Sequence, residues 1–408
     1  MHKILILNKI SPLGLDLFQP GTELSAEGLV SKETYEVSDN CPEPDAILVR
    51  SAAMHGMTFG GNLLAVARAG AGTNNIPVDK CAEDGIVVFN TPGANANAVK
   101  ELVLAGLLLS SRKILAGVNW VRSLSGKADI AKLVEKGKGE FVGPELQGKT
   151  IGVIGLGAIG VLVANACNSL GMEVLGFDPF LSVNSAWNLS RNIKKASSLE
   201  AVYASADYLT LHVPLNNDTK HMINEEVIGK IKPGARLLNF SRADLADGAA
   251  VKAALASGRL SAYVTDFPTD GLLAPEVTAP VENLITIPHL GASTPESEDN
   301  CAVMAVKQLK LYLEEGNIEN SVNYPDCVLP YTGKTRVCIL HKNVVNVVGP
   351  LTSALASHSI NIDKMINKSR DAYAYTMIDV DNCKPVSKLD GVMAQLLKVD
   401  GVIRARII

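Results

Sequence analysis

The residues of this chain best suited to chemistry are a glycine turn that can seat phosphates, an arginine that can grip a carboxylate and a histidine that can take a proton. The turn lies in residues 151–160, IGVIGLGAIG, where Gly155, Gly157 and Gly160 stand in GxGxxG spacing. That spacing arises often by chance, so its setting decides its meaning. Here an apolar strand over 149–154 runs in, and the apolar segment 159–170 runs out as a helix. The first glycine permits the tight turn, the second lets backbone approach a pyrophosphate, and the third lets helix and strand pack closely. Ala158 and Ile159 then open a helix whose N-terminus faces the phosphates. A second strand over 172–177 ends at Asp178, whose carboxylate can accept bonds from both ribose hydroxyls and would repel a 2′-phosphate. No arginine follows before Arg191, so the expected cofactor is NAD and not NADP.

Oxidising a 2-hydroxy acid with NAD needs a cation for the carboxylate, a base for the hydroxyl proton and an anion to favour the protonated base. Arg242 follows the strand ARLLNFS and so stands at the ligand end of a sheet, although an arginine there is also a common surface residue. His289 ends the strand LITIP, and either Asp270 or Asp266, after SAYVTDF, can hold and charge it. His212, in Leu211-His212-Val213-Pro214, ends another strand and borders the cofactor pocket, with packing its weightier role. His2, His55, His221 and His358 are expected to be solvated.

The elements that position these groups follow from length and pattern. At 408 residues the chain exceeds one ordinary core, so two or three domains are expected. A net charge of -4, with no Lys/Arg run beyond two residues, offers no footprint for nucleic acid. The four-residue apolar stretch near the N-terminus is too short for a signal core or a membrane span, and reads as a buried strand. Cys41, Cys81, Cys167, Cys301, Cys327, Cys338 and Cys383 lie far apart, without CxxC or nearby histidine ligands. A cytoplasmic, reduced, metal-free protein is the expectation.

Apolar runs at 4–7, 46–49, 66–69 and 86–89 alternate with helical stretches, the pattern of a parallel α/β sheet. Residues 100–111 are apolar on nearly every face and suit a helix buried between domains. The Gly- and Lys-rich stretch 125–148 reads as a surface connection. Six strands then alternate with helices over 149–289, the order of a doubly wound sheet, whose ligands bind at the strands' carboxyl ends. A long helix over 295–315 returns the chain to the first domain. The tail, 335–408, reads strand, helix, strand, strand, helix, strand: a βαββαβ ferredoxin-like module, small and separate.

These motifs together resemble the D-isomer-specific 2-hydroxyacid dehydrogenases. The likeness rests on GLGAIG with Asp178, on Leu211-His212-Val213-Pro214-Leu215, on Lys232-Pro233-Gly234 leading to Asn239-Phe240-Ser241-Arg242, and on Pro288-His289-Leu290-Gly291-Ala292-Ser293-Thr294. It implies a flavodoxin-like substrate domain (1–95 and 293–330) into which an NAD-binding domain (96–292) is inserted, with the active site in the cleft. It implies Arg242 as carboxylate anchor, His289 as proton acceptor, Asp270 as its partner, and Asp266 as a contact of the nicotinamide amide. His212, Val213, Pro214, Ser241, His289 and Gly291 line the cofactor in that reading. Arg50, Ser51 and Asn95 fall where the family touches substrate, Arg50 meeting a phosphate. Two departures stand out: Ala243 replaces the usual glycine after the arginine, and Asp270 the usual glutamate.

The tail (335–408) resembles the ACT domain, a ligand-binding regulatory unit, and places His341, Asn343 and Asn361 at serine-binding positions, with strand-end capping as the plainer reading of all three. The resemblance implies a phosphorylated 2-hydroxy acid substrate, a serine effector, and a homodimer or homotetramer seamed by the helix around Leu102 to Leu109. The alternatives are another 2-hydroxy acid (glycerate, lactate, 2-hydroxyglutarate) or an NAD-sensing corepressor without activity.

Overall fold

The computed structural model describes residues 1–19, 34–273, 283–381 and 387–408. The chain divides into two compact units, Met1–Ala94 with Pro295–Ile408, and Asn95–Thr294. Cys383 and the expected start of the last helix at Val386 lie outside the described residues.

In the first unit, strands β1 (His2–Ile6), β2 (Tyr35–Ser38), β3 (Ala46–Val49), β4 (Ala65–Arg68) and β5 (Val87–Phe89) form a parallel sheet in the order β2-β1-β3-β4-β5. β3 and β5 are buried along their whole length, as expected for strands covered on both faces. The returning helix, Pro295–Glu315, covers this sheet. It begins with proline and carries Glu296 and Glu298 in its first turn, a sequence that favours a helix N-terminus.

Among the described residues the second unit holds seven parallel strands: β6 (Thr150–Ile154), β7 (Glu173–Phe177), β8 (Lys194–Lys195), β9 (Tyr208–Leu211), β10 (Ala235–Asn239), β11 (Leu260–Thr265) and β12 (Leu284–Thr286). Their order is β12-β11-β10-β9-β6-β7-β8, a doubly wound sheet that reverses direction at β6. The two-residue edge strand β8 was not legible, because LysLys carries no apolar signal. One further expectation is corrected here. Residues 125–148 are mostly exposed, with Leu146 buried, but not merely a connection: they contain the helix Ile130–Gly137, flanked by Lys132–Asp129 and Lys138–Glu135 pairs that its Gly/Lys composition disguised. The helix Ala96–Ser111 packs Val103, Gly106 and Leu107 on its own sheet, against Phe240 and Val264, and leaves Leu108 46% exposed on its other side.

The tail forms β13 (Arg336–Lys342), β14 (Ile362–Arg370), β15 (Tyr373–Val380) and β16 (Val402–Ile407), antiparallel in the order β14-β15-β13-β16, with helices Val348–Ser357 and Ser387–Leu396. Val337, Ile339, Ile378 and Val380 face those helices, while Cys338, Leu340, Tyr375 and Met377 join the core around Phe89, Tyr312 and Tyr324. The tail's open face is therefore packed on its own first sheet domain. Arginines make the join. Arg336, fully buried, pairs with Asp379 through two bonds (2.6 and 3.0 Å) and donates to the carbonyls of Glu315, Leu329 and Pro330. Arg406 lies 4.2 Å over the Tyr312 ring and donates to the Tyr312 and Leu313 carbonyls. Arg404 reaches the carbonyls of Leu63 and Asp84.

Removing one partner of a buried pair leaves the other uncompensated, which typically costs about 3–5 kcal/mol. Arg336→Met should lower the urea-unfolding free energy by that order. A loss below about 1 kcal/mol, the range of exposed pairs, would contradict the buried arrangement.

Candidate active site

The glycine turn forms where β6 passes into the helix Ala158–Ser169. Gly155 has φ 90°, and a Cβ there would come to 2.5 Å from the His212 carbonyl oxygen; a Cβ on Gly160 would overlap the Gly155 carbonyl. Gly157 differs. It is the helix N-cap, and nothing lies within 4 Å of the place a Cβ would occupy. The protein thus leaves open the side on which a pyrophosphate would meet the helix N-terminus, so the residues present fit a dinucleotide. Asp178, just past β7, accepts the N–H of Leu156 inside the turn and that of Phe180, both at 2.8 Å. Each oxygen keeps lone-pair capacity for a ribose hydroxyl.

His212 follows β9. Burial holds its imidazole down at about 4, so the ring is neutral at physiological pH. One ring nitrogen lies 2.9 Å from Thr210 Oγ1, while Nδ1 is buried without a partner among the described residues. Val213 packs under the turn beside Gly155, and Pro214 offers its carbonyl to Thr219. Ser241 donates to the Leu211 carbonyl (2.7 Å), binding the end of β10 to that of β9.

The loop after β10 is shaped by Asn239, a residue whose positioning role the sequence did not disclose. Fully buried, it donates to the Arg242 carbonyl (2.8 Å) and accepts the Ser241 N–H (3.2 Å). Arg242 is left exposed, its guanidinium bonded to the Ser241 carbonyl (2.7 Å). Ala243 opens the 3-10 turn Ala243–Leu245 and is not among the residues with positive φ, so its methyl is accommodated.

After β12, His289 adopts φ 53°, an uncommon backbone for a side-chain-bearing residue. Asp266 over-determines it. The Asp266 carbonyl accepts the His289 N–H (3.0 Å), and its two carboxylate oxygens accept the N–H groups of Leu290 and Gly291, each at 2.7 Å. Asp266 thus has a positioning role. At 1% exposure, with each oxygen accepting one backbone N–H, its carboxylate anchors the His289 loop. The imidazole is exposed, edge-on to Phe267 with ring centroids 4.9 Å apart. Asp270 begins the short helix Asp270–Leu273 and is exposed, with no hydrogen bond to His289.

In the first unit, Asn8 collects three successive backbone N–H groups on its side-chain oxygen, those of Arg50 (3.1 Å), Ser51 (2.9 Å) and Ala52 (2.9 Å). Arg68, at the end of the adjacent β4, donates to the Arg50 carbonyl (3.1 Å). Neither Asn8 nor Arg68 was singled out from sequence, although both end parallel strands where ligands bind. Asn95 is the N-cap of the helix Ala96–Ser111, without a side-chain capping bond.

The three effector candidates do not converge within one chain. His341 is buried, bonded to Thr376 Oγ1 (2.9 Å), Asn367 Oδ1 (3.2 Å) and the Lys342 carbonyl (2.8 Å). Asn343 holds the Asp371 carbonyl at that same end of β13. Asn361 instead donates to Asp381, which pairs with Lys334 at the opposite end. Side chains six or more residues apart along a strand are separated by roughly 20 Å.

A doubly wound sheet with its glycine turn at the switch point and a carboxylate closing the next strand defines a dinucleotide-binding oxidoreductase domain. Residues 104–291 match the family described as D-isomer specific 2-hydroxyacid dehydrogenase, NAD binding domain. The chain is 31% identical over 407 residues to the D-3-phosphoglycerate dehydrogenase of Synechocystis sp., covering 98% of this chain and 68% of that one. It is 31% identical over 351 residues to the enzyme of that name from Escherichia coli (85% and 82% covered), and 33% identical over 339 residues to that of Bacillus subtilis (80% and 59% covered). Among solved structures, NAD+-bound 3-phosphoglycerate dehydrogenase of Entamoeba histolytica shares the fold, with TM-score 0.58 and 24% identity over 79% of this chain and 98% of that one. The chain belongs to the D-isomer specific 2-hydroxyacid dehydrogenase family, and its cofactor is NAD.

The different surroundings of two glycines yield a paired expectation. Gly157→Ala should leave the melting temperature nearly unchanged and weaken NAD binding about tenfold or more, since its methyl enters only the open phosphate side. Gly160→Ala should destabilise the fold itself. Equal loss of stability in both, followed by thermal unfolding and NAD titration, would refute the distinction.

Proposed function

We propose that the protein oxidises D-3-phosphoglycerate at carbon 2 to 3-phosphohydroxypyruvate, the entry reaction of serine synthesis. The observation that carries this reading is the reach of the similarity, which extends through 98% of the chain, first sheet and tail included, to a D-3-phosphoglycerate dehydrogenase. The roles follow from what each side chain has left to offer. Arg242, bonded only to a neighbouring carbonyl, grips the substrate carboxylate through parallel N–H donors. His289 takes the hydroxyl proton, and Asp270 is the carboxylate that favours the charged ring. Bound NAD supplies the acceptor for the hydride that leaves carbon 2. Asp178 holds the ribose, and His212, Val213, Pro214, Ser241 and Gly291 line the cofactor. Arg50 and Ser51 take the phosphate with Arg68 beside them, and Asn95 contacts the substrate.

The tail acts as an ACT domain with serine as effector; its sheet order supports this. Since His341 and Asn343 lie far from Asn361, one effector site draws on two copies of the chain. A homodimer is supported by the helix Ile114–Ser123, which exposes Ile114, Leu115, Val118 and Val121 at helical spacing. The domain limits 1–95 with 293–330, 96–292 and 335–408, and a cytoplasmic location, belong to the same reading. No described helix is long and apolar enough to cross a membrane.

An NADH-linked assay at equal concentrations should give higher kcat/KM on 3-phosphoglycerate than on glycerate, lactate or 2-hydroxyglutarate. Equal or higher values on the unphosphorylated acids would reject the assignment. In the same assay His289→Ala should lower kcat by about 10²- to 10⁴-fold with NAD affinity retained. Undiminished turnover would remove His289 from the mechanism.

A further inference from the structure

The loop bearing Arg50 is fixed by its backbone. Asn8 holds three of its N–H groups, Arg68 its Arg50 carbonyl, and Asn75 the Ala52 carbonyl at 2.8 Å. What remains adjustable is the Arg50 side chain, and it is already engaged. Its Nη2 donates to Glu298 Oε1 at 2.6 Å. Glu298 stands in the first turn of the returning helix, where the neighbouring Asp299 accepts a bond from Ser11. The side chains of Arg50 and Glu298 are 40% and 44% exposed, so their pairing adds little to stability and can be exchanged for a ligand.

That pairing has a chemical consequence for a phosphate dianion. A guanidinium binds phosphate best with two parallel N–H donors, and Glu298 takes an N–H of Nη2 on this one. A phosphate at Arg50 must displace the carboxylate or share the guanidinium with it, two like charges roughly 5 Å apart. An uncharged substrate end meets no such repulsion.

We propose that Glu298 is a specificity-determining residue: paired with Arg50, it orients the guanidinium and limits the affinity for an acid whose distal group is a dianion. The proposal rests on the reading that Arg50 takes the substrate phosphate. Glu298→Gln keeps an oxygen that can accept from Arg50 while removing the charge; Glu298→Ala removes both.

The test measures KM for 3-phosphoglycerate and for glycerate in wild type, Glu298→Gln, Glu298→Ala and Arg50→Gln, with the melting temperature of each. Glu298→Gln should lower KM for 3-phosphoglycerate by about tenfold at low salt and less at high salt, with KM for glycerate within about twofold of wild type. Glu298→Ala should lower it less, because orientation is lost. Both should melt within about 3 °C of wild type. Arg50→Gln should raise KM for 3-phosphoglycerate alone. If it does and Glu298→Gln leaves the ratio of the two KM values unchanged, the role of Glu298 is overturned while that of Arg50 stands. If Arg50→Gln changes nothing, or wild type does not oxidise 3-phosphoglycerate, the underlying reading falls and this inference with it.

Discussion

The nucleotide unit depends on one steric constraint, the contact of the helix Ala158–Ser169 with the end of β6. Only with hydrogen at Gly160 can the helix start so close to the Gly155 carbonyl, and only then do its first N–H groups point along the sheet's carboxyl edge. Neighbouring strand ends are referenced to that turn. Asp178 is bonded to Leu156 within it, the His212 carbonyl lies against Gly155, and Ser241 hangs from Leu211. Arg242 therefore takes its place through a chain of short contacts that begins at the glycines. A displaced turn would shift the helix N-terminus and Arg242 together.

The other unit is organised by the two ends of the helix Pro295–Glu315. Four carbonyls at a helix C-terminus have no partner within the helix and carry partial negative charge. Here tail arginines satisfy two of them, Arg406 at Leu313 and Arg336 at Glu315, and Arg406 adds a second bond to the Tyr312 carbonyl, which already accepts the Gly316 N–H. At the other end Glu298 and Asp299 meet Arg50 and Ser11. One rigid element thus has the tail at one end and the proposed phosphate arginine at the other, a span of about 30 Å for 21 residues. The tail's open face is consumed in this join, so contact with a second copy must use its edges or helices.

Much of this architecture was legible because each parallel strand is an apolar run ending in a polar or turn residue. Covered strands force that pattern, and candidate ligand-binding residues are sought just beyond it; Asp178, Arg242 and His289 were placed at strand ends this way. What escaped reading depends on contacts distant in sequence. Nothing near Asp266 says that its oxygens serve Leu290 and Gly291, and nothing near Asn8 points to Arg50. Glu298 looks like an ordinary first-turn acid. The tail's strand order was readable from its periodicity, but its buried arginines resembled a surface strand's charges, because their partners are backbone carbonyls that sequence cannot display.

The contrast between Asp266 and Asp270 bears on how such a site can be parsed. A buried side chain bonded to backbone N–H groups sets geometry, as Asp266 does in holding the loop in which His289 has a positive φ. Unlike it, Arg242 keeps donors, His289 keeps both ring nitrogens, and Asp270 keeps its carboxylate for whatever enters the site. In the proposed mechanism chemistry belongs to the second group, and the first positions it. By the same criterion His341, with three bonds inside the tail, resembles Asp266: its imidazole orders the end of β13, and Asn343, held by a single bond, has more to offer a ligand.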